Sequence, residues 1–195
     1  AKPVALTAGF ILEEGLPLET LRRVVDSMRA AAEAAGVAIV AGDTKVVGRA
    51  SGDGLYVNTS GVGEIVAPEP LAPERIRPGD RIILTGDVAR HGIAVMAQRH
   101  GLAFEPPVAS DCASLHAPFL ELFARGPAPH CARDLTRGGF GGALCELAAA
   151  AGVAIQIDEA QIPVAAPVRG ACELLGFDPL FVANEGCAAL FVAPG

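Results

Sequence analysis

Four prolines fall between positions 67 and 80, in Ala67-Pro68-Glu69-Pro70-Leu71-Ala72-Pro73-Glu74-Arg75-Ile76-Arg77-Pro78-Gly79-Asp80, and no hydrophobic period runs across them. Proline locks its own φ, lacks an N–H donor and pushes the residue before it towards extended backbone. No helix or central strand runs through such a stretch, so each side must build its own elements. The chain therefore reads as two folded pieces, 1–66 and 81–195, joined by a Pro-rich linker at 67–80. With 195 residues, 51% of them apolar, there is enough material for two small cores.

The first piece opens on a strand at 4–11. Glu13-Glu14-Gly15 and Pro17 break it. Leu18, Leu21, Val24, Val25 and Met28 then recur at helical spacing, with Arg22, Arg23 and Asp26 on the other face. Gly36 suits a helix C-terminus, and Val37-Ala38-Ile39-Val40 predicts a short buried strand. Strand, helix and strand in about forty residues form a crossover unit, as in a mixed α/β fold. A flexible loop closed by Gly52-Asp53-Gly54 and an alternating strand at 55–63 follow. In the second piece strands are expected at 81–87, 153–157, 180–182 and 188–192. Helices are expected at 91–99, 114–125, after Gly139, and at 167–175.

Charge and cysteines narrow the function. A net charge of −7 argues against a nucleic-acid or anionic-membrane surface. No apolar run is long enough to span a bilayer, since Glu33 and Gly36 interrupt the most alanine-rich stretch. The five cysteines are scattered without a C-x-x-C pair, which suits reduced thiols in the cytoplasm and no zinc site. The opening inside an apolar run, with no initiating Met, reads as a fragment of a longer protein.

Three polar stretches carry candidate chemistry. In Gly42-Asp43-Thr44-Lys45 a carboxylate, a hydroxyl and an ammonium stand where a strand meets a loop, a set that suits a metal-bound polyphosphate. The same residues also fit a turn with a solvated lysine. In Arg133-Asp134-Leu135-Thr136-Arg137-Gly138-Gly139, two arginines and two glycines precede a helix, where free N–H groups and the positive end of the dipole favour an anion. Asp134 suits a magnesium ion there, while an N-terminal cap or a salt bridge to Arg133 or Arg137 is the role an isolated Asp near a helix start usually takes. In Asn184-Glu185-Gly186, a carboxylate lies between two apolar strands. Partial burial there would suit Glu185 to accepting a proton near neutral pH, while an exposed turn is the alternative.

Together these stretches resemble the HypE hydrogenase maturation factors, within the PurM, SelD and ThiL superfamily of ATP-using enzymes. The resemblance spans nearly the whole chain. It takes in Gly9 to Gly15, Gly42 to Val47, Asn58 to Gly63, His91 to Val95, Ser110-Asp111-Cys112, Arg133 to Gly139 and Ala183 to Gly186, in that order. It implies a PurM-like two-domain architecture. Residues 1–66 would be the C-terminal part of an N-terminal ATP-binding and dimerising α/β domain. Residues 81–195 would be an α/β (α+β) sandwich, with ATP and magnesium in the groove between the two. It further implies ATP-dependent dehydration of a C-terminal S-carbamoyl-cysteine to a thiocyanate. The carbamoyl group would come from a HypF-like carbamoyltransferase, and the cyano group would leave through a HypC–HypD-like complex.

By the same resemblance Lys45 and Glu185 are the catalytic pair. Asp43, Thr44, Arg133, Asp134, Thr136, Arg137, Gly138 and Asn184 bind ATP, with Asp43 and Asp134 on the metal. The family's first acidic segment and its terminal cysteine tail have no counterpart here, so the fragment alone is expected to be inactive. Cys145 stands in place of an Asn, and nothing in the sequence explains it. Two other readings remain at this point: a non-catalytic ATP-binding or dimerisation module, and a PurM- or ThiL-like enzyme acting on a free small molecule.

Overall fold

The computed structural model describes residues 1–126 and 128–194 and divides into two compact units, residues 1–66 with 116–121, and residues 67–115 with 122–195. The first unit is a three-stranded sheet in the order β2-β1-β3, from β1 (Lys2–Glu13), β2 (Ala38–Val47) and β3 (Leu55–Glu64). β1 and β2 run parallel through the crossover helix α1 (Leu18–Ala34), and β3 returns antiparallel. Gly36, at φ +63°, turns the chain out of α1 in the left-handed conformation that glycine adopts without strain.

β2 departs from the sequence reading in two ways. It is an edge strand, exposed at every residue but Val47, so the run 38–40 is not buried; only Val37 before it is. Helix α1 lies against one face of the sheet, and among the described residues no strand pairs the outer edge of β2. The strand also does not stop at Gly42. It continues to Val47, with Gly9 opposite Asp43, Phe10 opposite Thr44 and Ile11 opposite Lys45. The following loop, expected to be flexible, is pinned: the Glu13 carboxylate accepts the N–H groups of Ala50 and Gly54, and Tyr56 Oη donates to Asp53 at 3.0 Å.

The second unit has an antiparallel sheet, β4-β6-β5, from β4 (Arg81–Leu84), β5 (Cys131–Asp134) and β6 (Ala188–Val192). Its central strand β6 is buried, apart from partly exposed Val192. Helix α4 (Gly139–Ala151) lays Phe140, Ala143, Leu144 and Leu147 against Phe191, Ala189 and Leu135. Burying one such side chain contributes about 1.5–3 kcal/mol. A second cluster joins Ile93 of α2 (Arg90–His100) to Val168, Ala171 and Cys172 of α5 (Ala166–Leu175). Helix α3 (His116–Arg125) lies between α2 and β5 in sequence. Within the Pro-rich segment Ile76 joins the core, and the Asp80 carboxylate, 4% exposed, pairs with His130 Nδ1 at 2.8 Å.

Two expected strands are absent. Residues 153–157 form no ladder; Val153 and Ile155 reach the core from irregular backbone, so their alternation reflects packing without a partner strand. Residues 179–181 form a 3-10 turn, because Asp178 caps the N–H of Leu180 at 2.9 Å and Pro179 presets the backbone.

Candidate functional site

Asn184 is the buried polar centre of the second unit and is wholly inaccessible. Its carbonyl oxygen accepts the N–H of Ala89 at 2.7 Å, and its amide donates to the carbonyls of Leu135 at 3.2 Å and Val182 at 3.1 Å. Its own N–H also donates to Leu135. One side chain thus ties together the entry to α2, the β5–α4 loop and the turn before β6. A group so fully engaged positions loops.

The loop from Arg133 to Gly139 begins at the end of β5 and turns into α4 at Gly138, φ +71°, which caps the helix without a side chain. Arg133 is committed to two carboxylates, Asp134 at 2.7 Å and Glu146 at 3.1 Å. The Glu146 bond foremost, and the charges of Asp134 and Glu146, hold its guanidinium above the ordinary value against the pull of burial. Burial pushes Asp134 upward, but the Thr136 hydrogen bond and the charge of Arg133 outweigh it and hold the carboxyl below its usual range. The salt bridge to Arg133 is therefore the state seen. Arg137 and Gly138 are exposed, and Arg137 has no ion pair among the described residues.

In the first unit Asp43 and Lys45 sit two residues apart on one face of β2, beside Gly9, Ile11, Tyr56 and Asn58 of the neighbouring strands. They line a shallow depression of about 520 Å³. Thr44 pairs with Phe10 and points to the opposite face, the one α1 covers, so the three side chains do not converge. Only its N–H reaches the site, donating to Asp43 at 2.8 Å.

Glu185 lies between the 3-10 turn and β6, not between two strands, and is exposed, the second of the two settings its sequence left open. Its backbone is fixed by Asp111, a residue given no role from sequence. The Asp111 carboxylate accepts the N–H of Glu185 at 3.2 Å and of Gly186 at 3.0 Å. Gly186 permits this closeness: a Cβ there would stand 1.8 Å from the Asp111 carbonyl. Glu185 Oε1 in turn lies 3.9 Å from His91 Nε2 at the start of α2. The far ring nitrogen of His91 contacts Ser110 Oγ at 2.9 Å and Cys112 Sγ at 3.8 Å. The signal for this cluster was the run Ser110-Asp111-Cys112, polar and placed between helices, but only the fold brings it against His91 and Glu185.

Among the described residues no three His, Cys, Asp or Glu side chains gather to hold a metal alone. Asp43 and Asp134 supply one exposed carboxylate each. Each carboxylate taken by itself suits magnesium, which uses one or two carboxylates and fills its shell with water and phosphate. Among the described residues no helix is long and apolar enough to cross a membrane.

Residues 1–65 match the AIR synthase related protein, N-terminal domain, and residues 77–195 match the AIR synthase related protein, C-terminal domain. The carbamoyl dehydratase HypE of Azotobacter vinelandii is 51% identical over 186 residues, which are 95% of this chain and 54% of that protein. A crystal structure of the hydrogenase maturation protein HypE in complex with ATP superposes with a TM-score of 0.96 at 44% identity, over 99% of this chain and 58% of that one. The HypE–HypF complex gives 0.94 at 44% identity, covering 99% and 63%. The chain spans about half the length of the curated relatives it matches.

Proposed function

This chain belongs to the AIR synthase related protein family, and on that premise we propose that the full-length protein dehydrates a C-terminal S-carbamoyl-cysteine to a thiocyanate at the expense of ATP, as the source of cyanide for nickel–iron hydrogenase maturation. The observation that carries the reading is the likeness, over nearly the entire chain, to HypE in its ATP complex. An amide oxygen leaves poorly, and phosphorylation makes it leave well. The carbamoyl nitrogen must then lose its protons, which needs a base nearby.

Glu185 is that base: its carboxylate is exposed on a backbone held by Asp111. Lys45 stabilises the departing phosphate or orients the thiocarbamate. Arg137, Thr136 and the N–H groups around Gly138 bind phosphate oxygens, with Arg133 and Thr44 assisting and Asn184 acting through the loops it holds. Asp43 and Asp134 hold magnesium, which when bound neutralises charge on the nucleotide. Residues 1–66 belong to an ATP-binding domain that forms a homodimer, 67–80 link it onward, and 81–195 form the second domain. A HypF-like carbamoyltransferase supplies the carbamoyl group, a reading favoured by the HypE–HypF complex among the matches. A HypC–HypD-like complex receives the cyano group. Five free thiols suit the cytoplasm.

The test uses the full-length carbamoylated protein carrying Glu185→Gln. ATP affinity should persist while thiocyanate formation falls by about two orders of magnitude. Near-normal dehydration would remove Glu185 from the role. Failure of the unmutated protein to form thiocyanate with ATP would remove the activity.

A further inference from the structure

The five thiols of this chain are not alike. Cys131, Cys172 and Cys187 are buried, and burial pushes each thiol up, away from reactivity. Cys112 and Cys145 are both exposed. Cys145 lies on α4, and among the described residues it has no hydrogen bond to any histidine. Cys112 has a different setting: His91 Nδ1 lies 3.8 Å from its sulfur, and His91 Nε2 lies 3.9 Å from Glu185 Oε1. Ser110 Oγ accepts the Cys112 N–H at 3.1 Å and touches the same ring nitrogen at 2.9 Å, so it locates the thiol and the imidazole against each other. A thiol thus lies near one nitrogen of the imidazole and a carboxylate near the other, the set of groups that activates a weak nucleophile once they close to hydrogen-bond distance.

From this array we infer that Cys112 is a nucleophilic thiol that takes a cyano group from a thiocyanate borne on another thiol, with His91 as its base and Glu185 as the carboxylate that steadies the imidazolium. The substrate class rests on the function proposed above, because Glu185 is shared between the two sites. The thiol stands one imidazole ring from the carboxylate at which the thiocyanate would form. In the transfer the Cys112 proton passes to His91 Nδ1, and the thiolate attacks the nitrile carbon. The new Sγ–C bond forms as the old C–S bond breaks, and the donor leaves as a thiolate. No electron is gained or lost overall, so neither oxidant nor reductant is needed. The positive charge left on His91 faces Glu185 through Nε2. Of the neighbouring charged residues in the chain, Asp111 is engaged with the N–H groups of Glu185 and Gly186, and Asp87 and Arg90 pair with each other.

The experiment treats the full-length protein with an aryl thiocyanate, 2-nitro-5-thiocyanatobenzoate, and needs neither ATP nor a carbamoyl donor. Released aryl thiolate gives the rate, and backbone cleavage at cyanylated cysteines, read by mass spectrometry, gives the position. Cys112 should react on the order of a hundredfold faster than Cys145, the scale of a positioned base. His91→Gln should bring Cys112 down to the rate of Cys145 at neutral pH, and the Cys112 rate should climb back in alkali, where the thiol ionises unaided; a merely structural role would not recover. Equal rates at Cys112 and Cys145 in the unmutated protein would overturn the inference, whether or not the variant folds. An unchanged rate in folded His91→Gln would do the same. Because the probe bypasses the dehydration step, either result is separable from the fate of the proposed activity.

Discussion

Asn184→Ala tests whether a single buried amide holds the three loops of the second unit. The truncation removes the acceptor of the Ala89 N–H, and Ala89 itself is fully buried. An orphaned buried N–H costs about 1–3 kcal/mol. The Leu135 carbonyl keeps the Asn184 backbone N–H as a donor, so it adds little, while the Val182 carbonyl loses the side-chain donor at 3.1 Å. With the packing lost around the missing amide, the sum is about 2–4 kcal/mol, a large share of the about 5–15 kcal/mol that holds an ordinary domain. In urea, with a slope of about 2 kcal/mol/M, the midpoint should fall by about 1–2 M while the slope stays the same. Asn184→Asp sharpens the argument. It retains the acceptor for Ala89, but turns carboxylate lone pairs towards the carbonyls of Leu135 and Val182. It should therefore be at least as damaging as alanine at neutral pH, and its deficit relative to the unmutated protein should narrow as acid protonates the new carboxyl. A loss below about 0.5 kcal/mol in Asn184→Ala, within the scatter of ordinary surface changes, would show that the amide does not hold the loops. So would an aspartate variant as stable as the original.

Asp80 links stability to pH. Burial pushes its carboxyl up, but the hydrogen bond with His130 and the Arg77 N–H together hold it below its ordinary value. A depressed folded value means that its stabilisation is complete above the unfolded value of about 4 and is lost as pH falls through the folded one. Denaturation midpoints from neutral pH to pH 3 should therefore decline more gently in Asp80→Asn than in the unmutated protein, and parallel curves would contradict this. Gly186→Ala should destabilise by about 2 kcal/mol or more and displace the Asp111–Ala113 loop, since the added Cβ meets the Asp111 carbonyl at 1.8 Å. An unchanged melting temperature would show that the loop yields freely.

The sequence alone determined much of the first unit. The spacing of Leu18, Leu21, Val25 and Met28, with Pro17 before it and Gly36 after, specifies α1 through local backbone preferences. The four prolines from Pro68 to Pro78 likewise report a local fact, that no α-helix or strand passes through them; only a single 3-10 turn, Pro73–Arg75, forms there. The polar stretches were visible too, because glycines, arginines and carboxylates crowded at element ends are rare without a reason.

Contacts distant in sequence were not legible. Alternation at Val153 and Ile155 reads the same whether or not a strand waits to pair with it, and no strand does. An apolar run such as Leu180-Phe181-Val182 cannot reveal that Asp178 caps it into a turn. Burial of 38–40 depended on what covers β2, and it is an edge. Most of all, Asn184 and Glu185 are neighbours in sequence with opposite fates. Asn184 is sealed by Ala89, Leu135 and Val182, while Glu185 is turned out towards His91, a residue 94 positions earlier. Local preference acts over a few residues and can be read from them. Which side chain a loop buries is settled by packing between segments about fifty to a hundred residues apart, and only the folded chain brings those together.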